Sequence, residues 1–468
     1  MSQPDQTLSM SRRFARWAAG LKYEDLPPQV VDKVKALMLH ALTSAGLAGS
    51  NPNVQAAVRL ALAEEGKADG ATILLDGGRA SRVGAAYANN EILHASGLVD
   101  SYRMRTHPGP VLIPVALANA ELERRNGRDV IVALAAGYEL LCRLSCDYTL
   151  TTAIRGFQPS SIFCTMGAAM VTGKLLGLDE EGLMRTISLA ANYASGLVES
   201  SWQGDRQATR SGVFSGLMAR MGHLKAAERS LDGGSGFYQA FAGSNTGKLT
   251  HAFTGPLQVD PASITADLGT RYQLLTVMFR MFGVAAYNDP VIYLLRELRE
   301  RHKLDPADIA EAAVTMNWHE TMYPSVVNPA HPEWNRPRVG STHYYAAHVL
   351  VNGSYPVVGG ATFGPTGRKL AEDGKVLEFM NAHVTLVQDQ ERAMFSPRAA
   401  IRMKSGPTHT ADYPYERLQW SFEQLVERLQ ECLPGYSGGK AAFDALAETM
   451  RGAERLASVE RIFQIVKA

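Results

Sequence analysis

Apolar residues recur along this chain mostly at the three-and-four spacing of helix faces, broken by short polar or glycine-rich stretches. Residues 12–48 carry two such stripes. Pro27-Pro28 opens the second, where Val30, Val34, Leu37, Met38 and Ala41 share one face. It ends in the small-residue patch Ala45-Gly46-Leu47-Ala48-Gly49. The pattern predicts a further helix over 53–65, closed by Gly66, and a hairpin over 71–81 that turns at Gly77-Gly78. From 82 to 245 helix follows helix, in a run rich in Ala, Gly and Met whose small residues permit close packing. Asp179-Glu180-Glu181 opens a helix over 180–196, since acidic side chains suit a helix N-terminus. The glycine-rich stretch 230–237 has no strand before it and no Lys-Ser/Thr after it. It therefore reads as a turn and not as a phosphate cradle.

The pattern changes after about 265. Asp289 and Pro290 predict the cap and first turn of a helix that runs to His302. Strand-like runs follow at 312–318, 382–387 and 399–404, with a helix over 342–351 between them. The tail from 415 is helical again, with Leu418, Phe422, Leu425, Val426 and Leu429 on one face. The expected fold is mainly α with an α+β insertion: one discontinuous helical domain from both chain ends, and an α+β unit inside it. The chain shows no internal repeat or heptad run.

Composition narrows the function classes. At 468 residues the chain exceeds one ordinary core. Lys and Arg number 47 against 46 Asp and Glu, which argues against a bulk electrostatic binder of nucleic acid or membrane but leaves room for a local basic pocket. The longest apolar run, near Val130–Tyr138, is cut by Glu139 and is too short for a span. The N-terminus has no signal-peptide core. The four cysteines include no C-x-x-C pair. Cys142 and Cys146 share a helix face as core residues, and the histidines at 319, 331, 343 and 348 lack metal-ligand spacing. These features predict a soluble, cytoplasmic protein without a metal site. The richest chemistry lies in 94–118, where His107 sits between Arg103, Arg105 and a long apolar run.

Several landmarks in order resemble the MmgE/PrpD family, which includes 2-methylcitrate dehydratase, cis-aconitate decarboxylase and iminodisuccinate epimerase. Ala85-Ala86-x-x-Asn89 leads to His94. His107-Pro108 is followed by Val111, Pro114 and Leu117-Ala118. Gly156-Phe157-x-Pro159 precedes Gly167-Ala168-Ala169 and Lys174-Leu175-Leu176-Gly177-Leu178. Ser341-x-x-Tyr344 precedes Asn352-Gly353. The resemblance covers nearly the whole chain. It implies a helical domain at 1–265 and 406–468 with an α+β lid at 266–405, a homodimer, and a site in the cleft between the domains. It also implies elimination, decarboxylation or epimerisation of a small polycarboxylic acid with no metal or organic cofactor.

Carried over residue by residue, the resemblance makes His107 the acid or base. The family's first catalytic Asp falls on Gly97, and the last of its Asp run on Asp100. Its G-F-H-P histidine is Gln158, which cannot relay a proton near neutral pH. Its K-x-x-H-x-G lysine and histidine fall on Gln207 and Arg210, with Arg206 alongside. Its lid lysine is Arg280, which anchors anions but does not act as a base, and its lid cysteine is Ala285. The expected catalytic set is His107, Asp100 and Tyr323. The expected carboxylate-binding set is Arg103, Arg105, Gln158, Arg206, Gln207, Arg210, Arg280 and Tyr344. The first functional reading is a divergent lyase or isomerase acting beside a carboxylate. The second is a catalytically silent paralogue that binds an acidic metabolite or pairs with an active partner.

Overall fold

The computed structural model describes residues 8–48, 51–222, 225–322, 337–355 and 373–466. Helices α1 (Met10–Gly20), α2 (Pro28–Gly46) and α3 (Pro52–Glu65) lead into a hairpin of β1 (Gly66–Thr72) and β2 (Arg79–Ala80). There follow α4 (Arg82–His94), the short strand β3 (Asp100–Ser101), α5 (Gly109–Leu122), α6 (Gly127–Ser145), α7 (Thr149–Ile154) and α8 (Pro159–Leu175). Next come α9 (Glu180–Tyr193), α10 (Ser201–Arg220), α11 (Phe237–Ala242), β4 (Met278–Phe279) and α12 (Asn288–His302). The second half contains β5 (Ile309–Asn317), α13 (Trp318–Met322), α14 (Thr342–Asn352), α15 (Gly374–His383), β6 (Val384–Asp389), β7 (Arg398–Met403) and β8 (Thr408–Asp412). Helices α16 (Phe422–Leu429), α17 (Gly439–Arg451) and α18 (Glu460–Ile465) close the chain.

Local side-chain bonds start many of these helices, Asp179 where the sequence predicts it. Ser9 Oγ accepts the Arg12 N–H at 3.1 Å, Asn126 and Asp129 form a capping box on α6, and Asp179 Oδ1 accepts the Gly182 N–H at 2.8 Å. The predicted hairpin is present, although its first strand begins at Gly66. The Ile73 N–H donates to Gly78 O at 2.8 Å, and Gly77 turns the chain at φ 79°. Asp289 departs from expectation. Tyr287 takes the cap position of α12, while the Asp289 carboxylate accepts the Met281 N–H at 2.7 Å. The loop before α12 needs an acceptor for that amide, and the acidic side chain supplies it.

The centre of the helical part is α8, buried on nearly every side, with α5, α6 and α10 packed around it. A helix apolar all round belongs in such a position. Close approach of backbones explains its small residues. A Cβ on Gly167 would lie 2.6 Å from Leu141 Cδ2 and 2.9 Å from the Gly137 carbonyl, and one on Gly212 would lie 2.3 Å from Ala168 Cβ. The tail returns to the first helices: the Phe422 N–H donates to Asp32 at 3.0 Å, and the Ser437 N–H donates to Gly46 O at 2.8 Å.

The larger sheet has the order β6-β5-β7-β8, with β5 parallel to β6 and antiparallel to β7. Ala312 faces Val384 on one side and Ile401 on the other. Helices α12, α14 and α15 pack against it. The sheet continues to Asp412, past the expected boundary at 405, because Thr408–Asp412 pairs with β7 as an edge strand. Its sequence, Thr-His-Thr-Ala-Asp, has no apolar alternation to betray it. Among the described residues no helix is long and apolar enough to cross a membrane.

Candidate active site

The segment joining α4 to α5 is built by backbone geometry. Gly97 has φ 76°, a left-handed conformation that glycine takes without strain, and its N–H donates to His94 O at 3.0 Å. The chain then pairs Asp100 with Phe279 and Ser101 with Met278, and the Arg280 N–H donates to Val99 O at 3.3 Å. Tyr102 and Thr106 bridge each other and close a strap, with Arg103 and Met104 at φ 45° and 67°. His107 and Pro108 follow, and α5 begins.

Asp100 is fully committed beneath this turn. Oδ1 accepts the Gly109 N–H at 2.8 Å and so caps α5; Oδ2 accepts the Tyr138 hydroxyl at 2.8 Å. Burial pushes its carboxyl up to about 6, against the opposing effect of those bonds and the Lys33 charge. Its main-chain carbonyl receives His107 Nδ1 at 2.9 Å. A carbonyl only accepts, so Nδ1 carries the proton and Nε2 carries the lone pair. The His107 N–H donates to Ser160 Oγ at 3.1 Å, at the start of α8. Burial, then the Arg280 charge, push His107 down to about 4, while Asp205 opposes them. The ring is therefore neutral near pH 7, with Nε2 as its acceptor nitrogen, and the Arg280 charge opposes its protonation.

A second histidine completes the cluster. His94 Nδ1 lies 3.1 Å from Asn90 O, and Nε2 lies 3.3 Å from Asp205 Oδ2. Both neighbours are acceptors, so the two bonds form together only in the imidazolium. Asp205 also accepts Ser161 Oγ at 3.2 Å. Burial works to raise the Asp205 carboxyl, yet the His94 bond, with the nearby charge of Arg206, holds it below the usual carboxylate range.

Arg280 is buried, and its guanidinium donates to Val284 O. Below it, His40 Nε2 donates to Arg280 O at 2.8 Å, and Lys33 Nζ donates to Val277 O from 4.2 Å above the Phe279 ring. Burial pushes Lys33 down to about 7 and His40 to about 4. Tyr345 on α14 lies within reach of the Arg280 charge; burial raises its hydroxyl to about 12.

A model of the MmgE/PrpD N-terminal domain matches residues 12–250, just over half the chain. The chain belongs to the MmgE/PrpD family. Its relatives include a cis-aconitate decarboxylase-like protein, oryM, of Aspergillus oryzae, 26% identical over 312 residues, which are 63% of this chain and 62% of that protein. A cis-aconitate decarboxylase of Aspergillus terreus is 22% identical over 343 residues, 69% of this chain and 66% of the enzyme. The human cis-aconitate decarboxylase is 24% identical over 245 residues, half of each chain. The match thus spans less than two thirds of the length of each of these relatives.

This MmgE/PrpD chain brings only part of the expected set together. The Arg280 charge reaches His107, and Asp100 lies under the turn with both carboxylate oxygens already bonded. Gln158 precedes the first turn of α8, two residues before Ser160. Its N–H donates to Gly196 O at 3.1 Å, and its buried Oε1 has no partner among the described residues. Tyr344 is buried beside Tyr345. Arg105 is buried and acts on His319, whose imidazole burial and that charge hold well below its ordinary range. Tyr323 lies outside the described residues.

Three expected ligands turn away from the buried face of α10. The buried face of α10 carries Gly204, Asp205, Ala208, Thr209 and Gly212, so 206, 207 and 210 fall elsewhere on the helix. Arg206 forks onto Glu91 at 2.5 and 3.0 Å, Arg210 pairs with Glu65 at 3.1 Å, and Gln207 bonds Ser211 at 3.2 Å. Arg206 and Gln207 line an outer groove of about 880 Å³ instead. Arg103 is also diverted: its Nη2 donates to Cys146 Sγ at 3.1 Å, and it lines a separate cavity. The sequence reading missed Asp205, Lys33, His40 and Ser160, and gave His94 no site role. A carboxylate on the apolar face of α10 was the one available signal.

Proposed function

We propose that this chain is a lyase or isomerase acting on a small di- or tricarboxylic acid by moving a proton beside a carboxylate, with neither metal nor organic cofactor. The carrying observation is the fixed tautomer of His107, which leaves Nε2 as an acceptor within the field of the buried Arg280. Family membership and the decarboxylases among its relatives support the same reaction class. In this reading Arg280 holds a substrate carboxylate. That anion offsets the charge that depresses His107 and so makes Nε2 more basic. Nε2 takes the proton next to the carboxylate, and the electron pair passes into the carboxylate as an enediolate held against Arg280. The resulting imidazolium faces Asp205 and bonds the Asp100 carbonyl. Return of the proton to carbon gives isomerisation; its transfer to a β-hydroxyl, which departs as water as the enediolate electron pair forms the double bond, gives dehydration.

The test follows deuterium entry from D2O into a panel of acids, cis-aconitate and citrate among them, by NMR. Exchange by wild type and its loss in His107→Gln support the reading, and unchanged exchange in that variant overturns it. A second reading, a silent acid-binding protein, is favoured by the outward turn of Gln207 and Arg210 from positions where the family resemblance implies proton carriers. An acid that raises the melting temperature without any exchange supports that reading instead.

A further inference from the structure

The cavity beside Arg103 is separate from the proton-transfer cluster. It measures about 360 Å³, and neither His107 nor Arg280 is among its described walls. Tyr102, Phe253, Phe395 and Tyr415 give it ring surfaces, with Phe395 and Tyr415 stacked at 5.9 Å. Arg103 is its cation and the exposed Glu416 its one acid.

The state of Arg103 points to a ligand. Its guanidinium donates to the weak sulfur acceptor Cys146 Sγ and lies 5.7 Å from the Tyr102 ring. No carboxylate pairs with it among the described residues, and its buried Nε has no hydrogen-bond partner among them. A shielded guanidinium without a counter-ion is costly unless something supplies one. The Nε and Nη2 edge is the fork that a carboxylate matches.

We propose that this cavity is a second ligand site, for a small monocarboxylate with a flat apolar body. One carboxylate takes the Arg103 fork in place of the Cys146 contact, and the body lies among the four rings. Glu416 at the mouth repels a second negative charge, so the site discriminates against the di- and tricarboxylic acids proposed for the His107 cluster. The volume lies at the lower end of the ordinary small-ligand range, which suits a single ring.

Benzoate is the probe, and isothermal titration calorimetry on the full chain is the readout. Wild type and His107→Gln are expected to bind one benzoate with equal affinity. Arg103→Leu loses the counter-ion, and Thr254→Trp fills the mouth while leaving Arg103 in place. Each is expected to weaken binding about tenfold or more. Glu416→Gln is expected to tighten it. Near-UV circular dichroism checks that each variant is folded. The proposal is overturned if folded wild type binds no benzoate, if Arg103→Leu and Thr254→Trp bind as wild type does, or if His107→Gln abolishes binding. Because the readout is binding of a monocarboxylate, it stands or falls apart from turnover at His107.

Discussion

His94 Nε2 and the buried Asp205 Oδ2 lie 3.3 Å apart, across 111 residues of sequence. The carboxylate faces His107 as well, and it opposes the charge of Arg280 there. Asp205→Asn removes that opposition. Deuterium exchange should fall by about one to two orders of magnitude, with the chain still folded. Asp205→Glu should recover part of the loss. Full exchange by the Asn variant would show that Asp205 serves packing alone.

Asp100 is expected to act through His107 and α5. Asp100→Ala removes a helix cap, worth about 1 kcal/mol, and orphans the buried Tyr138 hydroxyl, for about 1–3 kcal/mol more. Urea denaturation should record that sum. Asp100→Asn keeps an acceptor for Gly109 and should retain both stability and exchange. Loss of exchange by a stable Asn variant would instead make the carboxyl a proton carrier.

Glu320 gives the fold a pH dependence. Burial raises its carboxyl to about 8; one oxygen accepts the Phe395 N–H at 2.7 Å, and the charge of Arg392 opposes the shift. Its folded value lies above the unfolded one, so the stability it contributes is complete below the unfolded pKa, about 4.5. That stability is lost as pH rises towards 8. Asp289, raised by burial to about 7, acts in the same direction. Glu320→Gln should therefore flatten the fall in melting temperature between pH 5 and about 8. Parallel curves for the variant and wild type would exclude Glu320 as the source.

His40 and His107 set the acid side. Burial depresses both to about 4, so the stability they contribute is present above the unfolded value and lost as pH falls through the window down to about 4. His40→Gln can still donate to the Arg280 carbonyl and should lessen that acid loss. A variant as acid-sensitive as wild type in equilibrium denaturation would assign the loss to other groups.

At the centre of the bundle, Gly167→Ala should cost about 1–3 kcal/mol through overpacking against Leu141 and the Gly137 carbonyl. A thermal melt measures it directly, and an unchanged melting temperature would mean that α6 and α8 separate freely.

Apolar periodicity alone predicted most of the helices and three of the four strands of the larger sheet. Apolar periodicity and capping residues act within a few positions, and Asp179 starts its helix where the pattern places it. The sequence also singled out His107 and Arg280. Tertiary structure decided what those residues meet. The phase of α10 turned Asp205 inward and Arg206, Gln207 and Arg210 away, and a rotation of one or two positions about a helix axis reassigns every such role. Neighbours from elsewhere in the chain decided the partners: Glu91 and Glu65 took two arginines, and Tyr138 took Asp100. The bonds of His94 to Asp205 and of His40 to Arg280 O exist only once distant helices pack, because no local rule encodes which face meets which.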